Sequence, residues 1–249
     1  LIFYESLKIL IDPYLSNSVE ILDPNNLKRK VPIKFNPNEL FDVDWVLITH
    51  EHIDHCDPLT LPLLHKNNPN AFFLGPSPVR KKLLEWGISI DNILPLKSNP
   101  NLLSNGLEIS KHLKVTSIPA SHPTLTFDEN NQPLAVGWLL QSKNKTIYNA
   151  GDTNICDELL LSLKNFPKIH TAILPVNEDN FFRRRKGIIG NMSIREAFEF
   201  SSEIGFEEVL PVHWDMFEIN SVLPEEIYHV YSAYNWPFKL IMDSGEITF

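Results

Sequence analysis

The hydrophobic pattern alternates short apolar runs, typical of buried strands, with amphipathic segments of helical spacing. The apolar runs that predict strands are 7–11, 44–49, 71–74, 113–118, 135–141, 145–148, 170–174, 208–212 and 239–242. The segments that predict helices are one that follows Asp57-Pro58, then 77–86, 157–163, 193–204 and 224–234. Because both halves mix strands and helices, the pattern predicts an α/β (α+β) fold with two packed sheets and helices outside.

Turn signals set the expected boundaries of these elements. Ser77 is the expected cap of the helix 77–86 and Gly87 its end, and Gly205 ends the helix 193–204. Residues 13–42 hold several prolines and no clean period, so we expect a long loop there. The chain starts with Leu1-Ile2-Phe3-Tyr4, without methionine and already strand-like, which suggests that a natural N-terminal segment is missing.

Composition narrows the classes of function. A chain of 249 residues can bury a sizeable core, and we expect one domain over 1–249. The net charge of −9 argues against a general nucleic-acid binder. No apolar run approaches the roughly 20 residues of a membrane helix. Two cysteines, Cys56 and Cys156, are too few for a disulfide framework, so we expect a cytoplasmic protein without a membrane partner.

A dense group of metal-binding side chains follows the predicted strand 44–49. The stretch Thr49-His50-Glu51-His52-Ile53-Asp54-His55 offers three imidazoles and an aspartate within six residues. Imidazole and carboxylate are ligands for zinc and other divalent cations. Alternation aims His50 and His52 the same way, and a turn can aim Asp54 and His55 at a second point, so one loop could serve two metals.

Three later residues of ligand type each follow a strand-like run: His122, Asp152 and His213. The ends of strands are positions where a rigid scaffold places functional groups. Taken singly, each has a structural alternative. The two histidines could be packing residues, and Asp152 could cap the following helix. The cluster at 50–55 favours the metal interpretation for all three.

This order of motifs resembles the metallo-β-lactamase superfamily of binuclear metallohydrolases, along nearly the whole chain. Within it, the chain looks most like the bacterial group named for L-ascorbate-6-phosphate lactonase. The residues that carry this resemblance are Leu10-Ile11-Asp12-Pro13-Tyr14, 49–55, Tyr148-Asn149-Ala150-Gly151-Asp152-Thr153, Ile188-Ile189-Gly190-Asn191-Met192 and Pro211-Val212-His213-Trp214-Asp215-Met216-Phe217.

The resemblance implies a four-layer α-β-β-α sandwich and a defined ligand set. It assigns one metal to His50, His52 and His122, the other to Asp54, His55 and His213, and a bridging position to Asp152. Asp12 would accept a hydrogen bond from a ligand histidine and fix its tautomer, although it could also simply start a turn before Pro13. A preceding strand and a glycine-containing turn would be absent from this chain.

Such a centre suggests a mechanism. Two cations can hold a shared water, lower its pKa towards neutrality and polarise the electrophile that the resulting hydroxide attacks. Asp54 could also act in catalysis by orienting this nucleophile or moving its proton. Zn²⁺, Mn²⁺ and Fe²⁺ all suit mixed imidazole and carboxylate ligands. Cys56 is expected to be a packing residue.

The substrate is expected to be a small anionic molecule, with the lactone of a phosphorylated sugar acid as the leading candidate. A basic run at 181–186 contains Arg183, Arg184 and Arg185, which could dock a phosphate or carboxylate, or could instead form a solvated loop or an oligomer contact. Asn177 and Asp215 are further polar candidates. A homo-oligomer is left open.

Other functions of the same fold remain alternatives. A phosphodiesterase or nuclease is disfavoured by the acidic composition and by the lack of a basic and aromatic stripe. A class B β-lactamase is disfavoured because, by resemblance, those enzymes carry Cys where Asp152 stands. A thioester hydrolase of the glutathione type would carry an added helical region. A metal-binding sensor without turnover is the non-enzymatic alternative.

Overall fold

The computed structural model describes residues 1–96 and 106–242. The strands in these ranges are β1 Ile2–Tyr4, β2 Leu7–Ile11, β3 Trp45–Leu47, β4 Phe72–Leu74, β5 Ile93–Leu94, β6 Leu107–Ser110, β7 Leu113–Pro119, β8 Val136–Ser142, β9 Thr146–Asn149, β10 Thr171–Pro175, β11 Glu208–Val212 and β12 Lys239–Leu240. The α-helices are α1 Ser18–Leu22, α2 Leu61–Asn67, α3 Ser77–Glu85, α4 Asp157–Lys164, α5 Phe181–Arg184, α6 Ile194–Ile204 and α7 Pro224–Ser232.

The strands form two sheets. The first has the order β1-β2-β3-β4-β5, with an antiparallel pair at β1 and β2 and parallel pairs elsewhere. The second has the order β12-β11-β10-β9-β8-β7-β6, parallel from β12 to β9 and antiparallel from β9 to β6. Since β9, β10 and β11 are parallel, the residues that follow them meet at one edge of this sheet.

Strand β3 shows how the layers form. Trp45 and Leu47 pack in a cluster that contains residues of both sheets, among them Trp138. Val46, between them, points to the opposite face and belongs to the cluster that includes α2 and α3. A third cluster joins Leu139 of β8 to α4, α6 and α7. The predicted fold of two packed sheets with helices on both outer faces is therefore confirmed.

Several local predictions need correction. The expected long loop 13–42 contains α1 and a 3₁₀ helix at Pro37–Glu39. The helix after Asp57-Pro58 begins only at Leu61, because Asp57 accepts the Leu59 amide and the Thr60 hydroxyl and closes a separate turn first. Ser77 is the first residue of α3 and makes no capping bond. The short strands β5 and β6 were not expected, since neither carries a clear apolar period.

Other boundaries agree with the turn chemistry. Ser193 and Glu196 form a reciprocal capping box at the start of α6. Gly205 ends that helix in the left-handed conformation, with φ 83°. Within the described ranges, no helix combines the length and the apolar character needed to cross a membrane.

Candidate metal centre

The loop that follows β3 carries the first four ligand-type side chains. The backbone turns at His52, whose carbonyl accepts the amides of His55 and Cys56 at 3.0 and 2.7 Å. This turn brings His50 and His55 together, with ring centroids 4.2 Å apart. Both of these histidines are buried. The loop therefore points the imidazoles of His50 and His55 into the inside of the molecule.

The structure brings the later candidates onto this loop in two groups of three. His122 Nε2 lies 3.2 Å from His52 Nδ1, and His50 Nε2 lies 3.0 Å from the same atom. On the other side, His213 Nε2 lies 3.2 Å from Asp54 Oδ2, beside His55. In each group the possible ligand atoms all lie within 4.8 Å of one another. These two groups match the sets that the resemblance implied, and a third combination, His50, His55 and Asp152, is equally close.

Asp152 contacts members of both groups. Its Oδ1 lies 3.4 Å from His55 Nε2, and its Oδ2 lies 3.6 Å from His122 Nε2 and 3.6 Å from His213 Nε2. It does not cap α4, which begins at Asp157 with Cys156 in the cap position. The carboxylate therefore lies between the two groups.

Two buried atoms test whether these residues fit a cation. His55 Nε2 and Asp152 Oδ1 face each other, and neither has a hydrogen-bond partner. A buried polar atom without a partner is costly unless something satisfies it. Together with the surrounding imidazole nitrogens and carboxylate oxygens, they form a donor set of the kind that zinc, manganese or iron accepts. The residues therefore fit one or more divalent cations.

Asp12 holds the ligand loop from behind. Its Oδ2 accepts hydrogen bonds from His55 Nδ1 at 2.8 Å and from the Thr49 hydroxyl at 2.7 Å. Its Oδ1 accepts the Thr49 amide at 2.8 Å. With the proton on Nδ1, His55 presents the lone pair of Nε2 to the cluster. Asp12 adopts a positive φ of 44°, a strained conformation for a non-glycine residue that this network maintains.

Gly151 allows Thr49 to stay in this network. It has a φ of 60°, and a Cβ atom at this position would lie 2.7 Å from Cβ and Cγ2 of Thr49. A larger residue would therefore strain its own backbone and push Thr49 away from Asp12. The signal for this role, the glycine that precedes Asp152, is present in the sequence, but only the structure shows what it contacts.

Burial favours the neutral form of two histidines of the first group, His50 and His122. It lowers the pKa of His50 well below its usual value and that of His122 to about 4, and the neighbouring carboxylate of Asp152 only partly opposes this. A neutral imidazole has a free lone pair at physiological pH. These two side chains are therefore ready to bind a cation without first losing a proton.

The second group behaves differently. Burial favours neutral His55 and His213, but Asp152 and Asp54 outweigh it and raise the pKa of both histidines. Burial would likewise raise the pKa of the Asp54 and Asp152 carboxyl groups, but the nearby histidines outweigh burial and hold both pKa values below their usual range. The raised pKa values favour protons on these histidines in the metal-free protein, and a divalent cation would compete with those protons.

A cavity of about 250 Å³ opens onto the cluster. Its polar wall includes His52, Asp54, Asp152 and His213. The apolar residues that line it are Val19, Leu27, Ile53, Ile188, Ile189 and Phe217. Pockets for drug-sized ligands typically measure roughly 300–1,000 Å³, so this cavity suits a small molecule.

The three arginines of the basic run have other partners. The guanidinium of Arg183 donates to the carbonyls of Asn177, Glu178 and Ser221. Arg184 pairs with Asp179 at 3.6 Å, and the Arg185 guanidinium lies 5.7 Å from the ring centroid of Phe181. None of the three is among the described residues that line the cavity. The run also begins with the short helix α5 rather than a loop throughout.

The remaining polar candidates lie apart from the cavity lining. Asn177 is fully buried and its Oδ1 accepts the Asn191 amide group at 2.8 Å, which leaves its Nδ2 without a partner. Asp215 is partly exposed. The cavity instead contains a lysine, Lys82, that the sequence did not single out. No sequence signal separates it from its neighbour Lys81, since both lie on the amphipathic helix α3.

Comparisons with known proteins agree with this geometry. The chain is 26% identical over 218 residues to a metal-dependent hydrolase of Staphylococcus saprophyticus, covering 85% of this chain and 80% of that protein. It is 22% identical over 226 residues to N-acyl-phosphatidylethanolamine-hydrolyzing phospholipase D 1 of Caenorhabditis elegans. That match covers 89% of this chain but 62% of the relative, so the chain spans less than two thirds of that protein's length.

The fold is also found among solved structures. The isothiocyanate hydrolase from Delia radicum gut bacteria superposes with a TM-score of 0.76 at 18% identity, covering 100% of this chain and 94% of that one. Residues 8–214 match the family model described as "Beta-lactamase superfamily domain".

Proposed function

Since the chain belongs to the beta-lactamase superfamily, we propose that its ligand cluster is the binuclear centre of a metal-dependent hydrolase. The observation that carries this proposal is the convergence of seven ligand-type side chains, two of which present buried atoms without a hydrogen-bond partner, His55 Nε2 and Asp152 Oδ1. Hydrolysis by a metal-dependent enzyme is also the activity named for the Staphylococcus saprophyticus relative.

The proposed centre holds two divalent cations, Zn²⁺ or Mn²⁺, with Fe²⁺ as the third candidate. His50, His52 and His122 would hold one, and Asp54, His55 and His213 the other. Asp152 would bridge them, and its contacts with histidines of both groups support this assignment. When bound, such a cation pair supplies an activated water at neutral pH and polarises the bond that is attacked.

The chain's own residues then position and protect the reaction. Asp54 is proposed as the catalytic residue that orients the attacking water or takes up its proton. Its Oδ2 lies 3.2 Å from His213 Nε2 and 3.8 Å from His55 Nε2, so two imidazoles fix this carboxylate. Asp12 fixes the tautomer of His55. The apolar wall of the cavity, with Ile53 and Phe217, limits the access of bulk water.

The proposed substrate is a small anionic lactone, such as the lactone of a phosphorylated sugar acid. The resemblance to the ascorbate-6-phosphate lactonase group favours a lactone, and the size of the cavity favours a small molecule. Water would add to the ring carbonyl, the ring C–O bond would break, and a hydroxy acid would leave. A phosphodiester is the second candidate, because the Caenorhabditis elegans relative is named as a phospholipase D.

Metal analysis combined with a substrate panel tests the proposal. We expect about two divalent ions per chain and hydrolysis of a lactone with added Mn²⁺ or Zn²⁺. His52→Ala should abolish turnover, whereas His229→Ala, at an exposed position on α7, should not. Cleavage of bis-p-nitrophenyl phosphate but of no lactone would favour the phosphodiesterase instead. A metal-loaded protein that hydrolyses nothing in a panel of lactones, phosphodiesters and thioesters would indicate a sensor, and one that binds no metal would refute the centre.

A further inference from the structure

The cavity beside the ligand cluster has a marked imbalance of charge. Its acidic lining residues include Asp23, Glu51, Asp54 and Asp152. Among the described residues that line it, Lys82 is the only lysine or arginine. Two of the acids belong to the proposed metal centre, where bound cations would neutralise them. A negatively charged group of a substrate in this cavity therefore finds one lysine or arginine side chain in the described lining, beside neutral donors such as Asn25 and Asn220.

Lys82 is held in place by the fold. On α3, Val79 and Leu83 are fully buried in the core beneath the first sheet. Lys82 lies next to Leu83, and its ammonium reaches the ligand loop, where it donates to the Glu51 carbonyl at 2.8 Å. It also pairs with Glu51 Oε2 at 3.3 Å. Glu51 stands between His50 and His52, so the ammonium is tied to the segment that carries two metal ligands.

These contacts leave capacity for a ligand. An ammonium group has three N–H donors, and the two recorded bonds both go to Glu51. The side chain keeps 32% of its surface exposed and lines this cavity and a neighbouring one. The third donor is therefore available, on a group whose position is already fixed. Preorganisation of this kind lowers the entropic cost of binding an anion.

We propose that Lys82 forms the anion-binding subsite of the cavity and selects substrates that carry a phosphate or carboxylate away from the bond that is hydrolysed. This deepens the proposed function and rests on it. The anionic group would bind the Lys82 ammonium while the scissile bond lies at the metal centre. The basic run at 181–186, expected from the sequence to dock the anion, has its arginines in contact with backbone carbonyls, Asp179 and Phe181.

A matched pair of substrates isolates this subsite: glucono-δ-lactone and its 6-phosphate differ only in the anionic group. For Lys82→Gln we expect the ratio of KM for the phosphorylated lactone to KM for the neutral lactone to rise about tenfold, the lower range for a hydrogen bond to a charged group. Lys82→Arg should restore most of the preference. Lys81→Gln is the control, since Lys81 lies next to it on α3 but outside this cavity.

Product binding separates failure of the subsite from failure of the proposed function. The metal-loaded wild type should bind 6-phosphogluconate more tightly than gluconate by calorimetry, and Lys82→Gln should lose that difference even if neither lactone is turned over. An unchanged KM ratio together with an unchanged preference in product binding would overturn the subsite and leave the hydrolase proposal standing. If the double variant Arg184→Gln, Arg185→Gln loses more of the preference for 6-phosphogluconate than Lys82→Gln does, the anion binds at the basic run instead.

Discussion

Replacement of Asp12 by asparagine tests how the ligand loop is held. In the wild type, one oxygen of Asp12 accepts both His55 Nδ1–H and the Thr49 hydroxyl, and the other accepts the Thr49 amide. Asparagine keeps one oxygen and turns the other into an NH₂ donor. If the oxygen stays on the Thr49 amide, the NH₂ faces Nδ1 of His55. The imidazole must then move its proton to Nε2, the atom that faces Asp152, and lose its free lone pair there.

The size of the effect follows from that tautomer change. Removal of an outer partner of a metal-binding histidine typically weakens metal affinity or activity about 10- to 100-fold. This corresponds to about 1.4–2.8 kcal/mol. The change is isosteric, and Asp12 lies behind the loop rather than in the cavity lining. We therefore expect Asp12→Asn to lose more free energy of metal binding than free energy of unfolding.

Titration of the metal-free protein with Zn²⁺ against a chelator of known affinity measures this loss. Asp57→Asn is the control, because Asp57 is a buried carboxylate that accepts hydrogen bonds from the Ser16 hydroxyl and the Leu59 amide, and none of its recorded hydrogen bonds goes to a ligand histidine. It should lower Tm while leaving the Zn²⁺ affinity of the folded protein close to that of the wild type. Equal Zn²⁺ affinity in Asp12→Asn and the wild type would refute the role of Asp12.

Two further predictions concern the same network. Gly151→Ala forces an alanine into a left-handed conformation and against Thr49, so it should cost about 2–4 kcal/mol of stability and weaken metal binding. Gly205→Ala is the control, because Gly205 also has a positive φ but a Cβ atom there would meet no packed neighbour within 4 Å. It should lower Tm less and leave the metal titration unchanged. Carboxylates raise the pKa of His55 and His213, so in the metal-free protein these histidines should stay protonated to a higher pH than an ordinary histidine. Binding of Zn²⁺ should release these protons, and the Zn²⁺ affinity should fall as the pH falls. Calorimetry in buffers of different ionisation enthalpy measures this release, and a titration without it would contradict the assignment.

The convergence of the candidate ligands could be predicted because each of them follows a strand. His50, His52, Asp54 and His55 form a dense local signal that needs no tertiary information. His122, Asp152 and His213 are single residues, and only the order of motifs distinguished them from packing residues. The layer order was also predictable, since the apolar runs fix which segments are strands and the mixture of strands and helices fixes how they must pack.

Contacts made by tertiary packing could not be predicted in this way. Lys82 reaches the ligand loop only because α3 packs on the first sheet and turns this residue, rather than Lys81, towards Glu51. A basic run indicates charge but not its partners, and one of the carbonyls that Arg183 binds, that of Ser221, comes from a residue distant in sequence. The strands β5 and β6 depend on pairing with a neighbour and have too little pattern of their own.

The distribution of the ligands along the chain links folding to function. His50, His52, Asp54 and His55 come from a loop of the first sheet, whereas His122, Asp152 and His213 come from loops of the second. A chain in which only the first sheet has formed therefore holds an incomplete set of these ligands. In the proposed centre, a bound metal would act as a cross-link between the two sheets and favour the state in which both are docked. Metal binding would then report complete assembly, because ligands from both sheets must be in place before the set is complete.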